Sequence, residues 1–194
     1  MPQNKLQRSP SPGAKSPLSR RRSDLNRALQ RVRLFLCDVD GVLTDGSVFI
    51  GGESEIKRFH IRDGLGLVML RDHGFKIGWI SSRPSSATVR RAEELKIDFL
   101  RQEKGPKVAA IESLLSETGF QWDQVCYVGD DVVDLGPLQR AGVAVAVADG
   151  VEEARSAAHY VTKAPGGHGA IREIIEMILR AQNKWQSIVA AHAA

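Results

Sequence analysis

The sequence predicts an α/β domain built on a parallel β-sheet. Short apolar runs that are typical of buried strands alternate with segments of helical periodicity. Such alternation favours a parallel sheet with right-handed crossover connections. Polar residues also follow several of these runs directly, as Asp38 and Asp40 follow the run at residues 32–37. Because ligands bind at the carboxyl ends of strands in open α/β sheets, the same pattern predicts where a functional site lies.

The predicted elements follow one another along most of the chain. Strands are predicted at residues 32–37, 76–80 and 125–128 and near residues 97 and 143. Helices are predicted at residues 65–73, 86–95, 106–117, 132–141 and 169–182. Residues 47–50 and 55–60 flank the pair Gly51-Gly52 and predict a β-hairpin. This hairpin directly follows the loop that carries Asp38 and Asp40, here called the Asp38 loop, so it could form a flap over the site.

The charge of the chain is unevenly distributed. The 194 residues carry a net charge of +4. Residues 1–31 contain eight basic residues and one acidic residue, so residues 32–194 are net acidic. The first segment also holds three Ser-Pro pairs and few large apolar side chains, a composition that cannot bury a core. We therefore predict a disordered leader over residues 1–31, with a helical turn near residues 24–30, and one folded domain over residues 32–194.

Composition disfavours several classes of protein. No apolar run approaches 18 residues, so we expect no membrane span, and without a signal-peptide pattern we expect a cytoplasmic location. The basic leader could bind nucleic acid, but no aromatic side chains are interleaved for base stacking, which disfavours that function. Cys37 and Cys126 lie in predicted strands, where we expect buried, reduced thiols.

Asp38 and Asp40 are the first candidates for chemistry. Two carboxylates this close raise each other's pKa unless a cation or solvent separates them. The economical interpretation is a Mg²⁺ site in which one carboxylate is free to act as a nucleophile. The same pair of acids also occurs in solvated loops and in calcium loops, so the motif alone does not decide.

Three later features favour the catalytic interpretation. Ser81 follows the second predicted strand, Lys107 lies at the start of a predicted helix, and Asp130 and Asp131 follow the strand at residues 125–128. A nucleophile, a hydroxyl group, a lysine and an acidic cluster thus occur in chain order. This is the equipment of phosphoryl transfer, where catalysis consists mostly of positioning and charge neutralisation.

Several segments carry a resemblance to a known family. They are FLCDVDGVLTDG (35–46), FHIRDGLGL (59–67), ISSR (80–83), Lys107, YVGDDVVDL (127–135), AVAVADG (144–150) and APGGHGAIRE (164–173). On these motifs, residues 32–188 resemble the haloacid dehalogenase-like phosphatases, and within them the 3-deoxy-D-manno-octulosonate 8-phosphate (KDO 8-phosphate) phosphatases. The resemblance implies a Rossmann-like doubly wound parallel sheet with a small β-hairpin flap, no large cap domain, Mg²⁺ as cofactor, and a homotetramer.

The resemblance also assigns roles to the candidate residues. It implies that Asp38 is the nucleophile and that Asp40 is the general acid and then the general base, next to the substrate. Ser81 would donate to a phosphoryl oxygen, and Lys107 would hold Asp38 ionised. The Mg²⁺ ligands would be Asp38, the backbone carbonyl of Asp40, and Asp130. Further supporting roles are implied for Asp131, as a second-shell or alternate ligand, and for Asp134, which could instead be a helix-start residue.

The substrate end of the site is expected to bind a phosphorylated sugar acid. Arginine pairs bidentately with carboxylates, which makes Arg62, Arg83 and Arg172 the candidates for the sugar carboxylate, with His60 lining the pocket. His168 stands where relatives often carry arginine, so a nonulosonate 9-phosphate is an alternative substrate. A receiver-type signalling domain is another alternative, but its paired acids and its phosphorylated aspartate occupy different strands.

Overall fold

The computed structural model describes residues 17–51 and 54–193. Its strands are β1 (Leu34–Cys37), β2 (Phe49–Gly51), β3 (Ser54–Ile56), β4 (Lys76–Ser81), β5 (Phe99–Gln102), β6 (Val125–Gly129), β7 (Val143–Ala146) and β8 (Tyr160–Val161). Its helices are α1 (Pro17–Arg31), α2 (Ile61–Asp72), α3 (Ser86–Leu95), α4 (Lys107–Thr118), α5 (Leu135–Leu138), α6 (Glu152–Ala157), α7 (Ala170–Ala181) and α8 (Trp185–Ala193).

Six strands form one parallel sheet in the order β5-β4-β1-β6-β7-β8. Alternate residues of β1 enter two separate cores, because successive side chains of a strand point to opposite faces. Phe35 and Cys37 pack with residues of α1, α2, α7 and α8, whereas Leu34 and Leu36 pack with residues of α4, α5 and α6. The predicted doubly wound α/β architecture is therefore confirmed.

The helix α7 illustrates how periodicity positions these elements. Its buried side chains recur at the spacing of one helical face, namely Ala170, Ile171, Ile174, Ile175, Ile178 and Leu179. Two of the glycines before it, Gly166 and Gly167, lie against the backbone of the Asp38 loop. A Cβ atom on Gly166 would lie 1.7 Å from the carbonyl oxygen of Gly41, so only glycine allows this approach.

The helix α1 is longer than the helical turn predicted near residues 24–30. It spans Pro17–Arg31, and its Leu29 is buried in the core with Leu25 and Ala28 packed against it. The folded domain therefore extends beyond the predicted boundary between residues 31 and 32. The boundary was misplaced because the segment is basic overall, although Leu25, Ala28 and Leu29 form one apolar face of its helix. Residues 1–16 of the predicted leader lie outside the described residues.

The packing of α1 predicts a measurable contribution to stability. We expect Leu29→Ala to lower the free energy of unfolding by about 2–4 kcal/mol, because it deletes buried methyl groups and leaves a cavity. Gln30→Ala, at an exposed neighbouring position, is the matched control and should change little. Urea titration of both variants measures the effect, and equal stabilities for the two would show that α1 contributes nothing to the core.

The hairpin is formed as predicted, but with shorter strands. Phe49 pairs with Ile56 and Gly51 pairs with Ser54 in an antiparallel register. The structure also contains three elements that the sequence did not predict, the strand β8 and the helices α6 and α8. They escaped prediction because they are short or lie near the chain end. The predicted helix at residues 132–141 is a 3-10 turn, Val132–Asp134, followed by α5.

Two predictions from composition concern the core and the membrane. Cys37 and Cys126 are both free and buried, as expected. Within residues 17–51 and 54–193, no helix has the length and hydropathy that crossing a bilayer requires.

Candidate active site

Three adjacent strands bring the principal candidates together at one edge of the sheet. The central strand β1 is hydrogen-bonded to β4 on one side and to β6 on the other, with Cys37 paired to Trp79 and to Val128. The residues that follow these strand ends are therefore neighbours. The backbone N–H of Asp38 continues the ladder by donating to the carbonyl oxygen of Val128 at 3.0 Å.

The loop after β1 is a tight turn that fixes the Asp38 side chain. The N–H groups of Leu43 and Thr44 donate to the carbonyl oxygen of Val39 at 2.9 and 3.1 Å. The N–H of Val39 in turn donates to Asp38 Oδ1 at 2.7 Å. Gly41 has φ +90°, and a Cβ atom there would lie 2.1 Å from Asp130 Oδ2. A glycine is therefore needed both for the turn and for the approach of Asp130.

A buried lysine links Asp38 to Asp134. Lys107, the first residue of α4, lies with its Nζ 2.8 Å from Asp38 Oδ2 and 2.7 Å from Asp134 Oδ1. Asp134 also accepts from Tyr127 Oη at 2.6 Å and from the N–H groups of Asp130 and Asp131 at 3.0 and 3.2 Å. Asp134 thus has four donors, and its geometry fits the supporting role predicted for it.

Burial and neighbouring charge shift the pKa values of these groups. Burial raises the pKa of Asp38 to about 6, although the Lys107 ammonium opposes the shift. Burial, together with the charges of Asp134 and Asp38, raises the pKa of Asp130 to about 8. Burial alone would lower the pKa of Lys107, but Asp38 and Asp134 raise it above its ordinary value, so the ammonium stays charged.

The acidic residues fit a divalent metal ion with oxygen ligands. One carboxylate oxygen from each of Asp38, Asp130 and Asp134 lies within 4.8 Å of the others. Asp130 Oδ1 is buried and has no hydrogen-bond partner, which is costly unless a cation binds there. Because Asp134 is already occupied by four donors, Asp38 and Asp130 are the carboxylates that remain available to a hard cation such as Mg²⁺.

Asp131, predicted to contact a metal ligand or to be an alternate ligand itself, is not part of this cluster. Its side chain is exposed, and Oδ1 accepts from the N–H of Val132 at 2.6 Å, so that it caps the 3-10 turn. The cap residue of a helical turn has an extended backbone, and its side chain accepts from the N–H groups of the turn that follows it. The sequence could not distinguish Asp131 from Asp130, because the two are adjacent acids.

Ser81 and Asp40 also lie at this edge of the sheet. Ser81 is buried at the end of β4, where its Oγ donates to the carbonyl oxygen of Arg83 at 3.1 Å. Asp40 is ion-paired with Lys57, whose Nζ lies 2.7 Å from Oδ1 and 2.9 Å from Oδ2. Lys57 was absent from the sequence-based candidates, and its only signal was its place in the predicted flap.

Comparisons with known proteins show which family this chain resembles in sequence. A family profile of haloacid dehalogenase-like hydrolases matches residues 79–174. The KDO 8-phosphate phosphatase KdsC of Yersinia pestis is 38% identical over 83% of this chain and 87% of its own length. The chain belongs to this family of phosphatases. These enzymes are phosphoric monoester hydrolases, and the predicted family and enzyme class are confirmed.

Solved structures of relatives support the same fold. The KDO 8-phosphate phosphatase of Moraxella catarrhalis, crystallised with a magnesium ion, a phosphate ion and KDO, superposes with a TM-score of 0.86 at 36% identity, covering 88% of this chain and 98% of that one. The cobalt-bound enzyme of Haemophilus influenzae gives a TM-score of 0.78 at 39% identity, covering 81% and 93%.

Of the candidates for binding the substrate, Arg83, His60 and Arg62 have side chains that are open to a ligand, whereas Arg172 packs between α7 and α8. Arg83 lies on the loop after Ser81, is 44% exposed, and contacts Glu55 of the flap at 2.6 Å. His60 and the exposed Arg62 line a groove with Arg58, Gly167 and His168. In this groove Arg58 lies 2.6 Å from Asp45 and 3.1 Å from His168. These candidates remain compatible with binding an anionic sugar.

Arg172 does not join them. Its Nε donates to Glu176 at 2.8 Å, and its guanidinium lies 5.1 Å from the ring centre of Trp185 in α8. The prediction that Arg172 binds the substrate carboxylate has no support in this geometry, because the side chain is engaged between α7 and α8. The backbone N–H groups of Gly169 and Arg172 donate to Asp63 of α2, so the start of α7 is fixed to that helix.

The raised pKa of Asp130 predicts that metal binding releases protons. At pH 7 the metal-free carboxyl group, with a pKa of about 8, is mostly protonated, whereas a metal ligand must be ionised. We expect Mg²⁺ affinity to increase as the pH rises from about 6 to 8. Titration calorimetry at pH 7 in buffers of different ionisation enthalpy measures the protons released. An Asp130→Asn control should release fewer, and proton-neutral binding by the wild type would contradict the assignment.

Proposed function

We propose that this chain is a Mg²⁺-dependent phosphatase that hydrolyses KDO 8-phosphate to KDO and phosphate through an aspartyl phosphate on Asp38. The observation that carries the proposal is the buried Lys107–Asp38 pair beside the partnerless oxygen of Asp130. The pair keeps a nucleophile charged where the ordinary effect of burial would neutralise it. The substrate and the metal are proposed from the relatives that are named for, or crystallised with, KDO, phosphate and Mg²⁺.

The first half of the reaction transfers the phosphoryl group to the protein. A carboxylate oxygen of Asp38 attacks phosphorus, the bond from phosphorus to the sugar oxygen breaks, and Asp40 gives its proton to that leaving oxygen. Lys107 neutralises the charge near Asp38, and Ser81 donates to a phosphoryl oxygen. Mg²⁺, held by Asp38, Asp130 and the backbone carbonyl of Asp40, would supply charge neutralisation to the phosphoryl oxygens.

The second half regenerates the nucleophile. Asp40, now ionised, takes a proton from water, the water oxygen attacks phosphorus, and the bond between phosphorus and Asp38 breaks. The same carboxyl group thus acts first as an acid and then as a base, returning to its starting protonation state. The side chain of Asp40 is 23% exposed, so it can face both the sugar oxygen and the incoming water.

A homotetramer is part of the same proposal. The flap exposes three large apolar side chains, with Phe49 61%, Ile50 80% and Ile56 63% exposed. Large exposed apolar side chains grouped on one element are typical of an interface. We infer that flaps and C-terminal segments of neighbouring subunits complete each active site. Light scattering tests the homotetramer itself, through the molar mass of the purified protein.

The experiment that tests the proposed substrate is phosphate release from a panel of esters with Mg²⁺. We expect kcat/KM to be highest for KDO 8-phosphate, lower for nonulosonate 9-phosphates, and lowest for p-nitrophenyl phosphate. A preference for a nonulosonate 9-phosphate would instead assign the alternative substrate, for which His168 in place of arginine is the motivating observation. Activity that survives dialysis against excess EDTA would contradict the metal.

A substitution of Arg83 tests whether the sugar carboxylate is recognised. If its guanidinium binds the sugar carboxylate, Arg83→Ala should lose about 30-fold more kcat/KM on KDO 8-phosphate than on p-nitrophenyl phosphate, because charge-assisted hydrogen bonds to a carboxylate are lost. Arg140→Ala is the control, since Arg140 is exposed and its guanidinium donates to the carbonyl oxygen of Gly136 in its own turn. An equal loss on both esters would place Arg83 in phosphoryl binding or stability.

A further inference from the structure

Lys57 is a buried charge that the reaction steps above leave without a role. Its side chain is 0% exposed although it directly follows β3 of the flap. Its ammonium contacts both carboxylate oxygens of Asp40, Thr88 Oγ1 at 3.3 Å, and Glu55 at 3.6 Å. A lysine is seldom buried unless it is paired, and here the shortest contacts go to the proposed acid and base.

The neighbours of Lys57 come from three separate parts of the chain. Asp40 belongs to the loop after β1, Glu55 to the flap, and Thr88 to the first turn of α3. Glu55 also accepts from Ser85 at 2.7 Å and contacts Arg83 at 2.6 Å. The ammonium is therefore held by side chains from three elements and is shielded from solvent.

We propose that Lys57 is a positioning residue that holds the Asp40 carboxyl group in place for proton transfer to the leaving oxygen. The inference rests on the proposed function of Asp40. Two contacts from one fixed ammonium to the two oxygens of Asp40 restrict the rotation of the carboxyl group. Because Lys57 is carried by the flap, the position of the flap also determines the position of Asp40.

This role makes a specific kinetic prediction. In the first half of the reaction the bond from phosphorus to the leaving oxygen breaks as Asp40 donates its proton. A sugar alkoxide needs that proton, whereas p-nitrophenolate leaves readily without it. Loss of Lys57 should therefore impair alkyl esters much more than aryl esters in kcat/KM, which reports the steps up to loss of the leaving group. A residue that only stabilises the fold would impair both to the same extent.

The experiment compares Lys57→Met with Lys76→Met, a matched control. Lys76 is the first residue of β4, at the end of the strand opposite Ser81, and pairs with Asp98 on the surface. We expect Lys57→Met to lower the ratio of kcat/KM on the sugar phosphate to kcat/KM on p-nitrophenyl phosphate by about tenfold or more, within the range of general acid catalysis. Lys76→Met should leave the ratio unchanged. An unchanged ratio in folded Lys57→Met overturns the proposal.

A double-mutant cycle tests whether Lys57 acts through Asp40. In an Asp40→Asn background, Lys57→Met should cause little further loss on the sugar phosphate, since the proton donor is already absent. Equal losses in both backgrounds would show a structural role and overturn the inference. Thermal melts identify the folded variants, and Lys57→Gln, judged by the same ratio, replaces Lys57→Met if the latter does not fold.

The outcome also separates this inference from the proposed function. The comparison requires one alkyl and one aryl phosphate, not a particular sugar acid, so it can be made on whichever alkyl ester the wild type hydrolyses. A wild type that hydrolyses neither ester would overturn the proposed function and the inference together. A wild type active on both, with an unaltered ratio in Lys57→Met, would overturn the inference alone.

Discussion

We expect Asp38→Asn to reduce turnover to below about 1% of the wild type while the fold is retained, a loss of more than about 2.7 kcal/mol of transition-state stabilisation. An amide has nearly the size of a carboxylate, and its single oxygen can still accept from one of the two donors, Val39 or Lys107, which contact different oxygens of Asp38. It is a poor nucleophile, however, so no covalent bond to phosphorus forms.

The measurement is steady-state phosphate release together with a thermal melt. Asp123→Asn is the matched control, because the side chain of Asp123 is 61% exposed and lies 3.9 Å from Arg31 on the surface. Turnover by Asp38→Asn above about 1% of the wild type would contradict nucleophilic attack by Asp38. A lost melting transition would instead show that the substitution destroys the fold, and Asp38→Glu would then be measured.

Lys107→Met is expected to have the second large effect, on both activity and stability. Removing the ammonium leaves the carboxylates of Asp38 and Asp134 buried without their cation. Breaking a buried ion pair by removing one partner costs about 3–5 kcal/mol of folding free energy. We expect turnover to fall about 100-fold or more, because charge on the transferring phosphoryl group is no longer neutralised.

A second substitution separates these two effects. In Lys107→Met/Asp134→Asn, the amide oxygen can still accept from the N–H groups of Asp130 and Asp131, while the amide nitrogen can donate to Tyr127. Much of the stability should return in denaturant titrations, but activity should not. Recovery of activity along with stability would show that Lys107 serves the fold alone.

The sequence was sufficient for five of the six strands of the sheet and for the principal candidates at its edge. The strands β1 and β6 are continuous apolar runs because both faces of the sheet are covered, and such runs are recognisable without an alignment. Asp38 and Asp130 directly follow β1 and β6, and Ser81 is the last residue of β4, so parallel pairing alone brings them together. Lys107 needed the family resemblance, since a lysine at a helix start usually faces solvent.

What could not be predicted depends on side-chain direction and on tertiary contact. Asp131 and Asp130 are adjacent in sequence, but one caps a turn and the other faces the cluster. Arg172 lies in a motif of the family, yet its side chain packs between α7 and α8. Lys57 gave no signal beyond its place in the predicted flap, because nothing in the hairpin pattern indicates that one of its basic residues is buried against a loop 17 residues away.

The central claim is covalent catalysis by Asp38, and trapping the phosphoenzyme tests it most directly. Asp40→Asn should slow hydrolysis of the intermediate, since the base that activates water is absent. The variant is mixed with an aryl phosphate and Mg²⁺, quenched in acid within milliseconds to seconds, digested and analysed by mass spectrometry. We expect one added phosphoryl group on Asp38. A phosphoryl group on another residue, or none under conditions where p-nitrophenol is released, would contradict it.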